Sequence, residues 1–237
     1  MIQRMLISAL LAGAIAGLFA ALLHFAFVQN FILVGERYES GVATHFATTG
    51  ATTADHDHAA NDHGTPDLTG APLGLGRDGL TVAFAALLYV GYGLVLVAGF
   101  ALAETMGHRI TPAASLLWGV GGFAAVQLAP AMGLSPVLPG TLAADLTARQ
   151  IWWAGTVAAT ALGLGALAYG RGPLALALAG LLLALPHLIG APLPDGYYGA
   201  APPEVAAAFA ARSLGTGLAV WALLGWLAGR FWTARAA

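Results

Sequence analysis

The sequence predicts an all-α integral membrane protein, a bundle of about six transmembrane helices with one long loop. The chain has 237 residues, of which 59% are hydrophobic and 8% are charged, whereas a soluble domain carries roughly 25% charged residues. Its mean hydropathy is +0.79. The apolar residues also fall into stretches of about 17–25 residues, the length that crosses a bilayer. Nine basic and eleven acidic residues cannot coat a soluble globule of this size, so the soluble classes are excluded.

The residue types that are missing exclude several functions. All nine basic residues are arginine, so the chain has no lysine for a phosphate-binding P-loop or a Schiff base. It has no cysteine, hence no disulfide and no thiolate metal site. A formal net charge of -2 argues against a basic nucleic-acid binder.

Six apolar stretches predict the spans, and they lie at residues 5–33, 80–103, 113–132, 149–169, 173–190 and 205–229. The first exceeds what a ~30 Å hydrocarbon core needs at ~1.5 Å per residue, so we expect it to tilt or to project beyond the lipid. It is also too long for a secretory signal peptide. The fifth is the shortest and is bounded by Gly172-Pro173 and Pro186, which leaves five spans as the alternative.

Arginines in the short loops predict the orientation, because basic residues concentrate on the cytoplasmic side. With the N-terminus inside, five arginines lie on the inner side and four on the outer side. Ten of the eleven acidic residues then lie outside, which supports the same orientation. We therefore expect residues 1–237 to form a single transmembrane domain with both termini in the cytoplasm and the loop 35–79 outside.

The segments that follow the third and fifth spans predict a helix-pair repeat of spans 3–4 and 5–6. Both segments are rich in proline and glycine and run past an acidic residue to an arginine, Arg149 in the first and Arg212 in the second. A Gly-Thr pair follows each arginine shortly afterwards. Transporters are often built from such repeats. The alternative is that proline and glycine gather wherever helices end.

One stretch of the long loop has the composition of a metal-binding tether. Residues 55–63 hold three histidines and three aspartates, and another histidine lies upstream. Imidazole is a good ligand for divalent Co, Ni, Cu and Zn, and carboxylates neutralise charge. The sequence therefore predicts metal contact by His45, Asp55, His56, Asp57, His58, Asp62 and His63. The alternative is an acidic, soluble spacer in which histidine is incidental.

Polar side chains within the spans form a second set of candidates, because burying them in lipid is costly unless they are paired or wetted. They concentrate in the outer halves of the predicted spans. This gradient predicts an outward-facing polar vestibule for a hydrated cation, formed by His24, Gln29, Gln127, Asp145, Arg149, Gln150 and His187. Structural roles stay open for some of them. Asp145 and Arg149 are four residues apart and can pair on one helix face, and His187 can be an interfacial histidine bonded to a loop carbonyl.

Two further patterns predict ordinary membrane packing. Trp152 and Trp153 are expected in the aromatic belt at the membrane interface. Glycines in the second and fourth spans are expected to let helices approach closely; they are Gly91, Gly93, Gly99, Gly163 and Gly165.

A series of motifs extends over nearly the whole chain. A long first helix is followed by Glu36-Arg37-Tyr38-Glu39 and the His-rich loop, then by Trp118-Gly119, Ala129-Pro130, Gly133, Leu138-Pro139-Gly140, Ala144-Asp145-Leu146-x-Ala148-Arg149-Gln150-x-Trp152-Trp153 and Pro186-His187-Leu188-Ile189-Gly190-Ala191-Pro192. In these motifs the sequence resembles the CbtA family, the proposed transmembrane subunit of a bacterial cobalt transporter. The resemblance implies cobalt uptake for cobalamin synthesis across the bacterial inner membrane. It also implies a small single-span partner, CbtB, with a His-rich terminus.

Together these observations predict a membrane subunit of a cobalt, or divalent-cation, uptake transporter that captures its ion on the outer side. The transported cation is the expected ligand, with no tightly bound cofactor. The expected partners are the lipid bilayer and a CbtB-like subunit, not nucleic acid. No enzymatic activity is expected, because the polar side chains match no nucleophile–base arrangement. The shortage of acidic residues within the spans motivates the alternative, a non-transporting scaffold or assembly subunit of a metal-handling complex.

Overall fold

Six long helices make up most of the protein. The computed structural model describes residues 2–44 and 75–234. The helices are α1 (Ile2–Glu39), α2 (Leu75–Thr105), α3 (Pro112–Ala131), α4 (Leu146–Tyr169), α5 (Gly172–Ile189) and α6 (Pro203–Thr233). All six are long and apolar enough to cross a membrane, and the described residues form no strand beyond one isolated bridge. The predicted all-α bundle of six spans is confirmed, including the short fifth span.

Local sequence signals fix where the helices begin and end. The Thr111 hydroxyl accepts a hydrogen bond from the Ala114 amide at 3.1 Å at the start of α3, where Pro112 takes the first helical position. The Asp145 carboxylate caps α4 in the same way, accepting from the Ala148 amide at 2.8 Å. Helix α5 ends at Gly190, whose φ of 85° places it in the conformation that favours glycine.

The core of the protein lies between α1, α2, α3 and α6, which we call the four-helix core. Its buried side chains include Val97 and Phe100 of α2 and Leu224 and Trp232 of α6, none of them measurably exposed. Glycines bring the backbones together: a Cβ added at Gly13 would collide with the backbone of α2. Close helix approach is the typical packing mode where lipid already solvates apolar side chains.

Glycine contacts are only partly those that the sequence predicts. Of the five glycines named above, Gly93, Gly99 and Gly163 each face a neighbouring helix, whereas no described residue lies within 4 Å of a Cβ added at Gly91 or Gly165. Periodicity alone does not show which side of a uniformly apolar helix faces protein and which faces lipid. That choice depends on the neighbouring helices.

Helices α4 and α5 form an antiparallel hairpin at the periphery, here called the α4–α5 hairpin. Its two helices pack mainly on each other, around the buried side chains of Thr156, Thr160 and Ala179. Two indoles hydrogen-bond across the boundary between the hairpin and α3. The Trp118 indole of α3 donates to the Tyr169 hydroxyl at 3.0 Å, and the Trp153 indole of α4 donates to the Val126 carbonyl at 3.2 Å.

The helices alternate in direction, so α1 begins and α6 ends at the same end of the bundle. The Arg4 side chain contacts Trp232 there, and we call this the Arg4 end. The opposite end carries Arg77 and is called the Arg77 end. At the Arg77 end, the loops that follow α3 and α5 pair through a bridge between Thr141 and Gly199. These are the two segments compared above, although the helix-pair repeat itself stays a prediction.

Candidate functional site

A cavity of about 260 Å³ lies between all four helices of the four-helix core. Most of its wall is apolar. Its polar lining consists of His24 from α1, Thr81 and Tyr89 from α2, Gln127 from α3, and Ser213 and Thr216 from α6. A concave, mostly apolar space with a few convergent polar groups is the usual form of a small-ligand site.

Two of the four helices, α1 and α3, change to a π-helical turn at the level of the cavity. In α1 the turn covers His24–Val28, and the Gln29 amide donates to the His24 carbonyl, five residues back. In α3 it covers Ala124–Leu128, and the Ala129 amide donates to the Ala124 carbonyl. Single π turns within α-helices occur frequently at functional sites. Here, one carries His24 and the other carries Gln127.

The π turn of α3 has a cause in the sequence. Pro130 has no amide hydrogen, so the Val126 carbonyl, four residues earlier, loses its α-helical donor. The Trp153 indole of α4 donates to this carbonyl instead, at 3.2 Å. The α4–α5 hairpin therefore supports the turn that presents Gln127 to the cavity. The sequence predicts only that Trp153 lies in the aromatic belt, and the bond from its indole to the Val126 carbonyl was not predicted.

Two polar atoms at the cavity are buried without a partner. The Gln127 Oε1 and the Ser213 Oγ have no hydrogen-bond partner among the described residues. Gly217 of α6 leaves the space that the Gln127 amide occupies, because an added Cβ would overlap the amide oxygen. A buried polar group left unpaired costs about 1–3 kcal/mol, so these oxygens are suited to meeting a water or a ligand.

At the Arg77 end, polar contacts join α1 to α2 above the cavity. The Gln29 amide nitrogen donates to the Asp78 Oδ1 at 3.1 Å. The Arg77 guanidinium pairs with the Glu36 carboxylate at 2.7 Å, with both side chains about half exposed. Asp78 by contrast is 9% exposed. Asp78 lies in the predicted outer loop 35–79, just before the second predicted span.

The Arg4 end is closed by a compact network that joins α1, α2 and α6. The Arg4 guanidinium donates to the Glu104 carboxylate at 3.0 Å and to the Trp232 carbonyl at 3.1 Å. It also lies 3.6 Å from the centre of the Trp232 ring, whose indole donates to Glu104 at 2.7 Å. Between this network and the cavity lie buried core side chains, among them Val97, Phe100 and Leu224.

The other predicted vestibule residues lie on the α4–α5 hairpin. Asp145 and Gln150 are exposed, and Arg149 and His187 are half-buried. The ion pair that the spacing of Asp145 and Arg149 allows does not form in the part of the chain described here: Asp145 caps α4, and the Arg149 Nε is buried without a hydrogen-bond partner. The His187 ring packs edge-on against Trp152, with centroids 6.3 Å apart.

The structure thus brings together only some of the residues that the sequence predicts for one vestibule. His24 and Gln127 line the cavity, and Gln29 lies at its Arg77 end. The four residues on the hairpin do not line it. The loop residues predicted to contact metal, residues 45–63, lie outside the described residues. Within the described residues, no three His, Asp or Glu side chains form a group that could hold a metal ion.

Sequence reasoning missed four polar residues of the cavity, Thr81, Tyr89, Ser213 and Thr216. Hydroxyl side chains are common within membrane helices because they bond back to their own backbone, as Thr216 does to the Arg212 carbonyl at 2.9 Å. One signal was available for Ser213: it follows Arg212 in an otherwise apolar helix. No sequence signal marked Thr81 as facing His24.

Six helices of the described residues are long and apolar enough to span a membrane, and four of them surround the cavity, which defines a polytopic α-helical membrane protein. The chain belongs to the CbtA family, whose description is probable cobalt transporter subunit and whose family model matches residues 2–233. The recognition made from the motifs is confirmed. No curated protein and no solved structure matches the chain. The family description names a transporter subunit, which is not a class of enzyme. The word subunit implies that the chain works with a partner.

Proposed function

We propose that this chain is the membrane subunit of a cobalt uptake transporter and that the cavity of the four-helix core is a binding site on the path of the ion. One observation carries the proposal. The cavity gathers an imidazole, an amide oxygen and hydroxyl oxygens from different helices, and the Gln127 and Ser213 oxygens have no hydrogen-bond partner among the described residues.

The chemistry of these groups suits a divalent transition-metal ion. Imidazole nitrogen and neutral oxygen ligands together fit Co²⁺ better than they fit a soft ion such as Cu⁺, which prefers sulfur. Neutral ligands also hold a dipositive ion less tightly than carboxylates do, which suits an ion that must leave again. A cavity of this size has room for an ion that keeps part of its water shell.

In this proposal the Arg77 end faces outward and both termini lie in the cytoplasm of a bacterial inner membrane. The loop His45, Asp55, His56, Asp57, His58, Asp62 and His63 captures the ion outside and raises its concentration at the Arg77 end. The support is the loop composition together with the polar contacts at that end. The packed Arg4 end then faces the cytoplasm, where cobalamin synthesis uses the metal.

The chain needs a partner or an existing gradient to drive transport. It has no lysine for a P-loop, and its described spans hold no continuous series of acidic groups that would relay protons. The family description as a subunit supports a partner, and we propose that this is a small, His-rich, single-span subunit of the CbtB type.

Uptake of radioactive cobalt by cells that express the chain with its partner tests the proposal. We expect Gln127→Met and His24→Ala to reduce initial uptake at low cobalt by about ten-fold or more, the size of effect seen when the surroundings of a metal are altered. Gln150→Met and His108→Ala are the matched controls, since both residues lie away from the cavity. If both cavity variants take up cobalt at the wild-type rate, the cavity is not a binding site on the path of the ion.

Two further measurements address the other parts of the proposal. Replacing His56, His58 and His63 by alanine should lower uptake at low cobalt only, because capture affects affinity rather than passage. Purified chain and partner in sealed vesicles should show cobalt flux. A complete absence of flux, with both proteins folded, would favour the scaffold alternative.

A further inference from the structure

Three aromatic side chains bound the cavity on the side of the Arg4 end: Tyr89 and Tyr92 of α2 and Trp221 of α6, here called the aromatic cluster. Tyr89 and Val220 are the cavity-lining residues of α2 and α6 that lie furthest toward the Arg4 end. The Trp221 ring lies 4.8 Å from the Tyr92 ring and 6.5 Å from the Tyr89 ring, measured between centroids. The cluster therefore begins where the cavity stops.

The Trp221 ring contacts two helices besides its own. It packs at a tilt on Tyr92 of α2. It also fills the space beside Gly122 of α3, where an added Cβ would overlap the ring. The Trp221 side chain is 3% exposed. The ring thus lies across the interior of the bundle between α2, α3 and α6, directly beyond the cavity.

Trp221 is held differently from the other five tryptophans. Trp226 is exposed, and the indoles of the other four donate hydrogen bonds; these are Trp118, Trp152, Trp153 and Trp232. The Trp221 Nε1 is buried without a hydrogen-bond partner in the part of the chain that the structure describes. A buried donor without an acceptor carries a free-energy cost. Packing alone therefore holds the Trp221 ring, and a displaced ring gives up no hydrogen bond.

An ion that enters the cavity at the Arg77 end has to pass the aromatic cluster to reach the Arg4 end. We propose that Trp221, supported by Tyr89 and Tyr92, is the movable barrier of this path, and that the ion leaves the cavity toward the Arg4 end when the Trp221 ring is displaced. Aromatic rings suit this position, because their faces attract a cation without coordinating it and an apolar constriction excludes hydrated ions while it is closed. This inference rests on the proposed function, which puts the cavity on the path of a cation.

Cysteine accessibility tests the barrier, because the chain has no cysteine of its own. Leu224 is fully buried and follows the cavity-lining Val220 by four residues, so it continues the same face of α6 beyond the cavity. In the purified full-length chain, a cationic methanethiosulfonate reagent should modify Val220→Cys but not Leu224→Cys. Adding Trp221→Ala to Leu224→Cys should speed its modification by about ten-fold or more, which corresponds to a barrier lowered by about 1.4 kcal/mol.

A matched control removes the same side chain from an exposed position of the same helix. Trp226→Ala should leave Leu224→Cys unmodified. If Trp221→Ala does not fold, Tyr92→Ala takes its place, because it removes the ring that packs on Trp221 from a half-buried position and should act in the same direction. The inference is overturned if Leu224→Cys without a second substitution reacts as fast as Val220→Cys, or if neither aromatic substitution speeds its modification.

Fluorine NMR tests whether the ring moves. In the chain labelled with 5-fluorotryptophan, Trp221→Phe identifies the Trp221 signal, and Trp232→Phe identifies the signal of a buried indole that donates a hydrogen bond. We expect exchange broadening on the μs–ms timescale for Trp221 and not for Trp232. Equally narrow signals from both residues, without relaxation dispersion, would show that Trp221 is fixed and is not a movable barrier.

Neither measurement uses cobalt, so the results separate this inference from the proposed function. If His24→Ala and Gln127→Met abolish cobalt uptake while the Leu224 thiol stays unreactive in folded Trp221→Ala, the cavity is a binding site but Trp221 is not its barrier. If Trp221→Ala exposes the Leu224 thiol while both cavity variants take up cobalt at the wild-type rate, Trp221 closes the cavity but the cavity is not on the path of cobalt.

Discussion

In the most apolar stretch of α1, 39% of the residues are buried inside the protein, whereas in α5 the share is 11%. Both helices are apolar enough to cross a membrane, so hydropathy does not account for the difference. Apolar side chains that face lipid need no protein partner. The four-helix core is held by close backbone contacts at glycine, while the α4–α5 hairpin is joined to α3 by indole hydrogen bonds. The two regions should therefore respond differently to the same substitution.

The largest expected difference is between glycines of the two regions. A Cβ at Gly225 in the core would come within 2.7 Å of the Gly119 Cα, whereas a Cβ at Gly165 in the hairpin meets nothing within 4 Å. We expect Gly225→Ala to lower the free energy of unfolding by about 1–3 kcal/mol through overpacking. Gly165→Ala should be neutral or raise it by up to about 1 kcal/mol. Reversible unfolding in mixed micelles measures both, and equal effects would contradict the comparison.

The next effect concerns the ends of the core. The Glu104 carboxylate accepts from both Arg4 and Trp232 and joins three helices, while Glu36 makes an exposed pair with Arg77. We expect Glu104→Gln to lower the free energy of unfolding by about 1.5 kcal/mol and Glu36→Gln by less than about 1 kcal/mol. The same unfolding assay compares them. A larger loss in Glu36→Gln would show that the Arg77 end, not the Arg4 end, holds the core together.

The smallest stability effect is expected where the hairpin meets the core. Trp153→Phe keeps a ring but removes the donor to the Val126 carbonyl, at a cost of about 1 kcal/mol. Because this bond supports the π turn that carries Gln127, cobalt uptake should also fall. Trp152→Phe, which removes the bond to the Pro186 carbonyl within the hairpin, should cost similar stability and leave uptake unchanged. Equal uptake in the two variants would mean that the turn holds its shape without Trp153.

The sequence predicts parts of the candidate site because polar residues are conspicuous in apolar helices. His24 and Gln127 both stand out in this way, and both line the cavity. Asp78 was not predicted to be buried, because an acidic residue beside the end of a predicted span is usually exposed to solvent. The pairing of Asp145 with Arg149 was wrong for a related reason: spacing allows an ion pair, but the first carboxylate before a helix is also its natural cap.

By itself, the sequence determined the class of the protein, the six spans and the uneven distribution of charge along them, because the length and hydropathy of a segment decide whether it can cross lipid. Only the tertiary structure decided which polar side chains meet. The spans are apolar around most of their circumference, so periodicity alone does not show which face is buried. The faces are set by where glycines allow contact and by two π turns. In one of these turns an indole from another helix bonds to the carbonyl whose donor Pro130 lacks.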